Sequence, residues 1–176
     1  MFETLLLLLV PTLLFRLLGA LGVTRFATWR VAAAHGLAFM LFLTGSSHFA
    51  PDSVTLMPTH SDSLHMLPSW MPFPDFMIYL TGALEWLGAL GLIITATRTW
   101  AGISLAVLFV VMLPANIYAA LNNIEFNGEP PTPLWFRVPE QLVYIGVALF
   151  AAFGTVAVRR ARSLIRCEAP VRARLH

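Results

Sequence analysis

The sequence contains no lysine, only one cysteine, and few charged residues of either sign. Charged residues make up 11% of its 176 positions, against about 25% in typical soluble domains, and 58% are hydrophobic. The single Cys167 excludes an internal disulfide framework. The net charge of +2 excludes the strongly basic surface of a nucleic-acid-binding protein, so no nucleic acid is expected as a partner. A chain this apolar is expected to have lipid as its solvent.

The few charges alternate in sign along the chain, with apolar stretches between them. Six groups follow one another along the chain, acidic and basic in turn. They are Glu3, then Arg25 and Arg30, then Asp52, Asp62 and Asp75, then Arg98, then Glu125 and Glu129, and finally the six arginines of the tail. Positive loops of membrane proteins stay in the cytoplasm. The pattern therefore predicts an outer N-terminus, a cytoplasmic C-terminus and an odd number of spans.

A membrane span needs about 20 mainly apolar residues. Five stretches meet this requirement, and we place the spans at 3–22, 31–49, 76–95, 101–121 and 135–157. The predicted fold is all-α, a polytopic protein of the bacterial inner (cytoplasmic) membrane. Residues 1–158 form one transmembrane domain, and residues 159–176 form a basic cytoplasmic tail that contacts anionic lipid headgroups.

The first span differs from a cleaved secretion signal. Such signals begin with positive charge, whereas here Glu3 precedes the apolar run and Arg25 and Arg30 follow it. We therefore expect an uncleaved helix. Arg16 lies close enough to the inner end of that helix for its long side chain to reach the headgroups.

The outer loop at 50–75 contains five prolines, which exclude a long regular helix. Its Met, Trp and Phe residues are typical of a segment lying at the membrane surface. We predict a cap over the bundle, with a lid for a substrate or partner as the alternative. His60 and His65 have no ligand-like companions at helical spacing, so we expect both to be solvent-exposed and predict no metal site.

A small set of polar residues falls where lipid-facing residues are expected. Ionisable groups in a bilayer are costly and mark either function or a buried pair. Once the spans are oriented, the set lies in the outer half of the bundle, with Glu85 deepest: His48, Glu85, Asn116, Arg137 and Gln141. We predict an ion pair or hydrogen-bonded network among them. Three roles stay open: structural stabilisation alone, a pocket for a quinone-like or lipid-like molecule, and a proton or ion path.

Six short stretches in a fixed order also carry a family resemblance. They are Gly45 to Phe49, Met66 to Pro72, Tyr79 to Gly88, Thr97 to Gly102, Pro114 to Ile117 and Arg137 to Gln141. In these stretches the chain resembles the DoxX-like family of small bacterial membrane proteins. The resemblance implies a four-helix transmembrane bundle, with the first span as an addition. It places the family's shared polar positions on the same five residues, whereas Glu140 stands where relatives commonly have an apolar residue.

The sequence contains no phosphate-binding glycine loop, no HExxH and no GxSxG. The leading interpretation is an accessory or small-molecule-binding subunit of a quinone-linked membrane redox complex. Membrane lipid and other membrane subunits are its expected partners, and a quinone is its candidate ligand. The alternative is a stand-alone membrane enzyme that acts on a quinone or another hydrophobic substrate, with Glu85 as acid or base. A small transporter is the third hypothesis.

Overall fold

The computed structural model describes residues 2–125 and 130–154, and within this part the chain is all-helical without strands. The tail at 159–176, and the end of the fifth predicted span, lie outside the described residues. One 3-10 turn, Thr24–Phe26, follows the first helix. The α-helices are α1 Glu3–Ala20, α2 Trp29–Ser47, α3 His60–His65, α4 Pro74–Ile93, α5 Arg98–Leu121 and α6 Leu134–Phe153.

Local sequence signals explain several helix boundaries. Thr59 and Asp62 form a capping box at the start of the short α3. Pro74 occupies the first turn of α4, where its missing N–H costs little. Pro139 lies inside α6, which begins five residues earlier at Leu134. The carbonyl one turn earlier in α6 therefore receives no bond from residue 139.

Four long helices form a closed ring, and α1 packs against its outside. In the ring α2 contacts α4 and α6, and α5 contacts the same two helices. Helix α1 packs against α2. The buried apolar core includes Leu37, Leu41, Leu92, Leu105 and Ala148.

Consecutive long helices run in opposite directions, so the bundle has two chemically different ends. We call one the acidic end, because α1, α4 and the loop between α2 and α4 place Glu3, Asp52, Asp62 and Asp75 there. We call the other the arginine end, because it holds Arg25, Arg30 and Arg98.

The outer surface of the bundle is strongly apolar. Helices α1, α4, α5 and α6 are each long and apolar enough to cross a membrane. Helix α2, the second predicted span, is not in this set, because Arg30, His35 and several small or hydroxyl residues lower its hydropathy. It is instead the helix most enclosed by protein, with eleven buried residues.

Candidate functional site

The first buried polar cluster lies between α2 and α4, and we call it the Glu85 cluster. The Thr44 hydroxyl donates to Glu85 Oε2 at 2.6 Å. Nε2 of His48 lies 3.6 Å from Glu85 Oε1, just beyond hydrogen-bonding distance. The Thr81 hydroxyl lies 3.3 Å from His48 Nδ1. A carboxylate, an imidazole and two hydroxyls therefore meet inside the bundle without an arginine.

Two glycines allow α2 and α4 to approach closely beside this cluster. A Cβ on Gly82 would lie 2.6 Å from the His48 Cβ, and one on Gly45 would lie 2.7 Å from the Trp86 ring. Small residues commonly permit such close helix contacts. Thr81, Glu85 and Gly88 recur at i, i+4 and i+7 along α4, a spacing that predicts one protein-facing side, and Glu85 and Gly88 are both buried.

An aromatic column covers the Glu85 cluster on the outside of the bundle. The Phe49 ring contacts Tyr79 at 5.6 Å and Trp86 at 4.8 Å between centroids. All three side chains remain partly exposed on the apolar surface. Trp86 Nε1 donates to the Phe42 carbonyl at 3.2 Å, which fixes the indole across the α2–α4 seam.

His60 links the outer loop to this cluster, so the prediction that it is solvent-exposed was wrong. Its Nδ1 donates to the His48 carbonyl at 2.8 Å, and its Nε2 lies 3.0 Å from Asp75 Oδ1. Its ring stacks on Tyr79 at 4.3 Å. Both ring nitrogens face acceptors, an arrangement that a doubly protonated ring satisfies in full. His65, in contrast, is exposed as predicted.

The second buried polar cluster joins α1, α5 and α6, and we call it the Glu140 cluster. Arg137 Nη1 donates to Glu140 Oε2 at 3.2 Å, and its Nη2 donates to Asn116 Oδ1 at 2.5 Å. The other carboxylate oxygen of Glu140 accepts bonds from the Tyr144 hydroxyl at 2.6 Å and the Thr4 hydroxyl at 2.7 Å. Three donors therefore hold this carboxylate, and one of them, Arg137, carries a permanent positive charge.

The structure does not form the ion pair between Glu85 and Arg137 that the sequence suggested. Glu85 bonds to Thr44 and faces His48, whereas Arg137 bonds to Glu140 and Asn116. The fifth residue of the predicted set, Gln141, donates to the Phe109 carbonyl at 2.9 Å and bridges α5 and α6. The predicted set thus separates into two groups that lie on different helix pairs.

Sequence reasoning missed several partners. Glu140 carried a usable signal, because Arg137 precedes it by three residues and such pairs share a helix face. Thr44 precedes His48 by four residues, so the two side chains lie on the same face at the end of α2. Thr4 and Tyr144 reach Glu140 only through the packing of α1 and α6, for which the sequence gives no local signal.

A small cavity lies beside the Glu140 cluster at the acidic end. Its volume is about 40 Å³, and Asn116, Arg137, Met66, Ile124 and Pro131 contribute to its walls. A single water needs roughly 10–15 Å³ of such volume, so the cavity has room for about three or four waters at most. It is too small for a quinone ring, and the space next to Arg137 therefore does not match the predicted ligand pocket.

One comparison with known protein families matches most of the four-helix ring. A family model described as "Domain of unknown function (DUF8561)" matches residues 37–152. The match begins within α2, ends within α6 and includes His48, Glu85, Arg137 and Glu140, but leaves out α1. No curated protein and no solved structure gives a significant match. Because the matched residues form more than half of the chain, the protein belongs to the family Domain of unknown function (DUF8561).

Proposed function

We propose that this chain is a multi-pass protein of the bacterial inner membrane, with its acidic end outside and its arginine end in the cytoplasm. Four helices of sufficient length and apolarity support this placement. The exposed side chains of α1 and α5 are mainly Leu and Val, which suit contact with lipid. The separation of acids and arginines to opposite ends supports the orientation. In this arrangement α2, the second span along the chain, completes the set of five spans and is enclosed largely by protein.

Within the membrane, we propose that the Glu85 cluster is the binding site for a quinone-like molecule, and that the protein serves as an accessory subunit of a membrane redox complex. The single observation that carries this proposal is the gap of 3.6 Å between His48 Nε2 and Glu85 Oε1. Neither group is saturated by the other, so each retains capacity for a ligand. The resemblance to the DoxX-like family, whose members are often linked to membrane redox metabolism, supports the same assignment.

The chemistry of the cluster suits a quinone headgroup. A quinone carbonyl accepts hydrogen bonds, and the corresponding quinol hydroxyl donates them. His48 provides a donor and Glu85 an acceptor, while the Thr44 hydroxyl, which already donates to Glu85, orients that carboxylate. The neighbouring Phe49, Tyr79 and Trp86 provide an aromatic surface open to the lipid side, where a flat ring can stack. A hydrophobic ligand would enter from the bilayer between α2 and α4.

The binding test uses the full-length protein in nanodiscs of neutral lipid, with a short-chain benzoquinol, kept reduced, as the probe, because its hydroxyl can donate to the Glu85 carboxylate. Binding is measured by calorimetry for the wild type, Glu85→Gln and the matched control Glu140→Gln. We expect Glu85→Gln to bind about tenfold more weakly, because a charge-assisted hydrogen bond contributes about 1.5 kcal/mol or more. The Glu140→Gln control is expected to retain binding. Equal binding by wild type and Glu85→Gln would contradict the assigned site.

The accessory role has a separate test. Native mass spectrometry of the protein extracted gently from its own membranes is expected to show stoichiometric complexes with other membrane subunits. A free protein that binds the quinone would contradict the subunit role and retain the binding site. The alternative of a stand-alone enzyme rests on the same carboxylate and imidazole, which can exchange protons with a quinol. Turnover by the purified protein that is lost in Glu85→Gln would establish it.

A further inference from the structure

The arginine end carries an unusual arrangement of guanidinium groups. Arg98 Nε donates to the Leu92 carbonyl at 2.7 Å, and its Nη2 donates to the Ile93 carbonyl at 3.2 Å. Arg25 Nη2 donates to the same Ile93 carbonyl at 3.3 Å. Two guanidinium groups from different parts of the chain therefore share one acceptor at the C-terminus of α4, although their like charges repel.

A third guanidinium caps the neighbouring helix end. Arg30 Nε donates to the Ala151 carbonyl at 2.8 Å, and its Nη2 donates to the Ala152 carbonyl at 3.0 Å, at the C-terminus of α6. Each helix C-terminus carries roughly half a negative charge. The C-terminus of α4 therefore offsets only about half of one of the two positive charges of Arg25 and Arg98. Within residues 2–125 and 130–154, no Asp or Glu lies at this end of the bundle.

A fourth arginine at this end has an unmet donor. Arg16 lies in the last turns of α1, with its guanidinium carbon 5.6 Å from the centre of the Trp29 ring. Its Nε is buried and has no hydrogen-bond partner within the described part of the chain. A buried donor without an acceptor is costly, and such a group calls for an explanation such as a bound ion or ligand. This observation is independent of the charge imbalance at Arg25 and Arg98.

We propose that the arginine end binds the phosphate of an anionic phospholipid from the adjoining leaflet. Arginine is suited to this role, because its planar fork pairs with two phosphate oxygens at once. A lipid is favoured over free phosphate because large apolar side chains are exposed around the arginines: Leu21, Trp29, Ile94 and Trp100. Tryptophans are enriched at the membrane–water interface, where their rings lie at headgroup level.

This proposal rests on the membrane placement given above and is independent of the quinone site. The phosphate would accept from the free donors of Arg25 and from Arg16, while Arg98 remains bonded to α4. It would thereby neutralise part of the charge excess and hold α1 and the 3-10 turn Thr24–Phe26 against the ring. The lipid would act as a structural component at the joint between α1 and the family domain.

The test measures lipid retention by native mass spectrometry of the full-length protein released from nanodiscs. The nanodiscs contain phosphatidylcholine with increasing phosphatidylglycerol. The variants are Arg16→Gln, Arg25→Gln and the double variant, and the charge-matched control is Ser53→Asp with Thr55→Asp, two exposed positions at the acidic end. One arginine near the headgroups contributes about a fivefold change in affinity. We therefore expect losses of about 5-fold for each single variant and roughly 25-fold for the double variant, against less than about twofold for the control.

Two further arms make the outcome decisive. Inorganic phosphate, added to protein in pure phosphatidylcholine, is expected to bind at least tenfold more weakly than phosphatidylglycerol; equal binding would overturn the assignment to lipid. Circular dichroism and gel filtration identify a misfolded variant. If a variant that carries Arg16→Gln misfolds, the lipid affinity of the exposed Arg25→Gln variant alone decides the result. Equal losses in the acidic-end control and in the double variant would reduce the effect to general charge and overturn the site. A Glu85→Gln protein that retains lipid binding separates this result from any failure of the quinone site.

Discussion

Glu85 and Glu140 are both about 3% exposed, yet the protein surrounds them differently. Glu140 faces a permanent cation, Arg137, and accepts further bonds from Thr4 and Tyr144. Glu85 accepts one strong bond from Thr44 and faces an imidazole at 3.6 Å. Glu140 therefore has a full set of hydrogen-bonding partners, whereas Glu85 has a set that a ligand could complete.

The difference indicates a division of roles within one bundle. A buried pair with extra hydrogen bonds is strongly destabilised when one member is removed, because the other is left charged and unpaired. Removal of Glu85 leaves the Thr44 hydroxyl and the His48 imidazole without this acceptor, but no arginine. We therefore assign the Glu140 cluster to holding α1, α5 and α6 together, and we propose the Glu85 cluster for binding.

The largest expected effect comes from Glu140→Ala. It leaves the partly buried Arg137 without its carboxylate and removes the acceptor of Tyr144 and Thr4. We expect the free energy of unfolding to fall by about 3–5 kcal/mol, measured by denaturant titration in detergent. Glu140→Gln keeps one carbonyl oxygen and should lose much less. A Glu140→Ala protein more stable than Glu85→Ala would reverse the assignment of roles.

Gly82→Ala tests the packing that positions the other cluster. The added Cβ would lie 2.6 Å from the His48 Cβ, so α2 and α4 must separate and the Glu85 cluster must open. Overpacking of this kind costs about 1–3 kcal/mol, and quinone binding should weaken as well. The matched control is Gly146→Ala, because a Cβ there meets no atom within 4 Å. Equal stability of the two variants would show that the α2–α4 contact is not tight.

Thr4→Val tests whether the Glu140 cluster holds α1. The variant keeps the shape of the side chain and removes the 2.7 Å bond to Glu140. We expect a loss of about 1 kcal/mol in stability, together with faster proteolysis of α1 in the detergent-solubilised protein. Thr12→Val is the control on the same helix, because its hydroxyl bonds only to the Leu8 carbonyl of α1 itself. If both variants release α1 equally, Thr4 has no special role.

The smallest effect is expected from Asp75→Asn. Asp75 pairs with His60 at 3.0 Å, but its side chain is 67% exposed, and exposed pairs contribute about 0.2–1 kcal/mol. We expect a loss of about 0.5 kcal/mol in low salt and a smaller loss in high salt. Quinone binding should stay unchanged, because His60 keeps its bond to the His48 carbonyl and its stacking contact with Tyr79 when Asp75 loses its charge. A large loss of binding would make the outer loop part of the site.

The elements of the fold could be predicted from the sequence, because each long helix is an apolar run bounded by charge or proline. The burial of Glu85 also followed from the small residues that share its face. The pairing of polar groups could not be predicted, since depth in a span does not specify which helices are neighbours. His60 shows the same limit, because the contact with the His48 carbonyl is made by a loop whose path the sequence does not determine.

The enclosed position of α2 has a consequence for how the protein is made. A membrane-insertion machine selects segments by their own apolarity, and α2 is the one long helix outside the set apolar enough to cross. We therefore expect α2 to enter the bilayer together with α1, as a helical hairpin in which Gly36 packs against Thr12. Helix α1, which lies outside the residues matched to the family, would then act as an insertion partner for α2, the most enclosed helix of the ring.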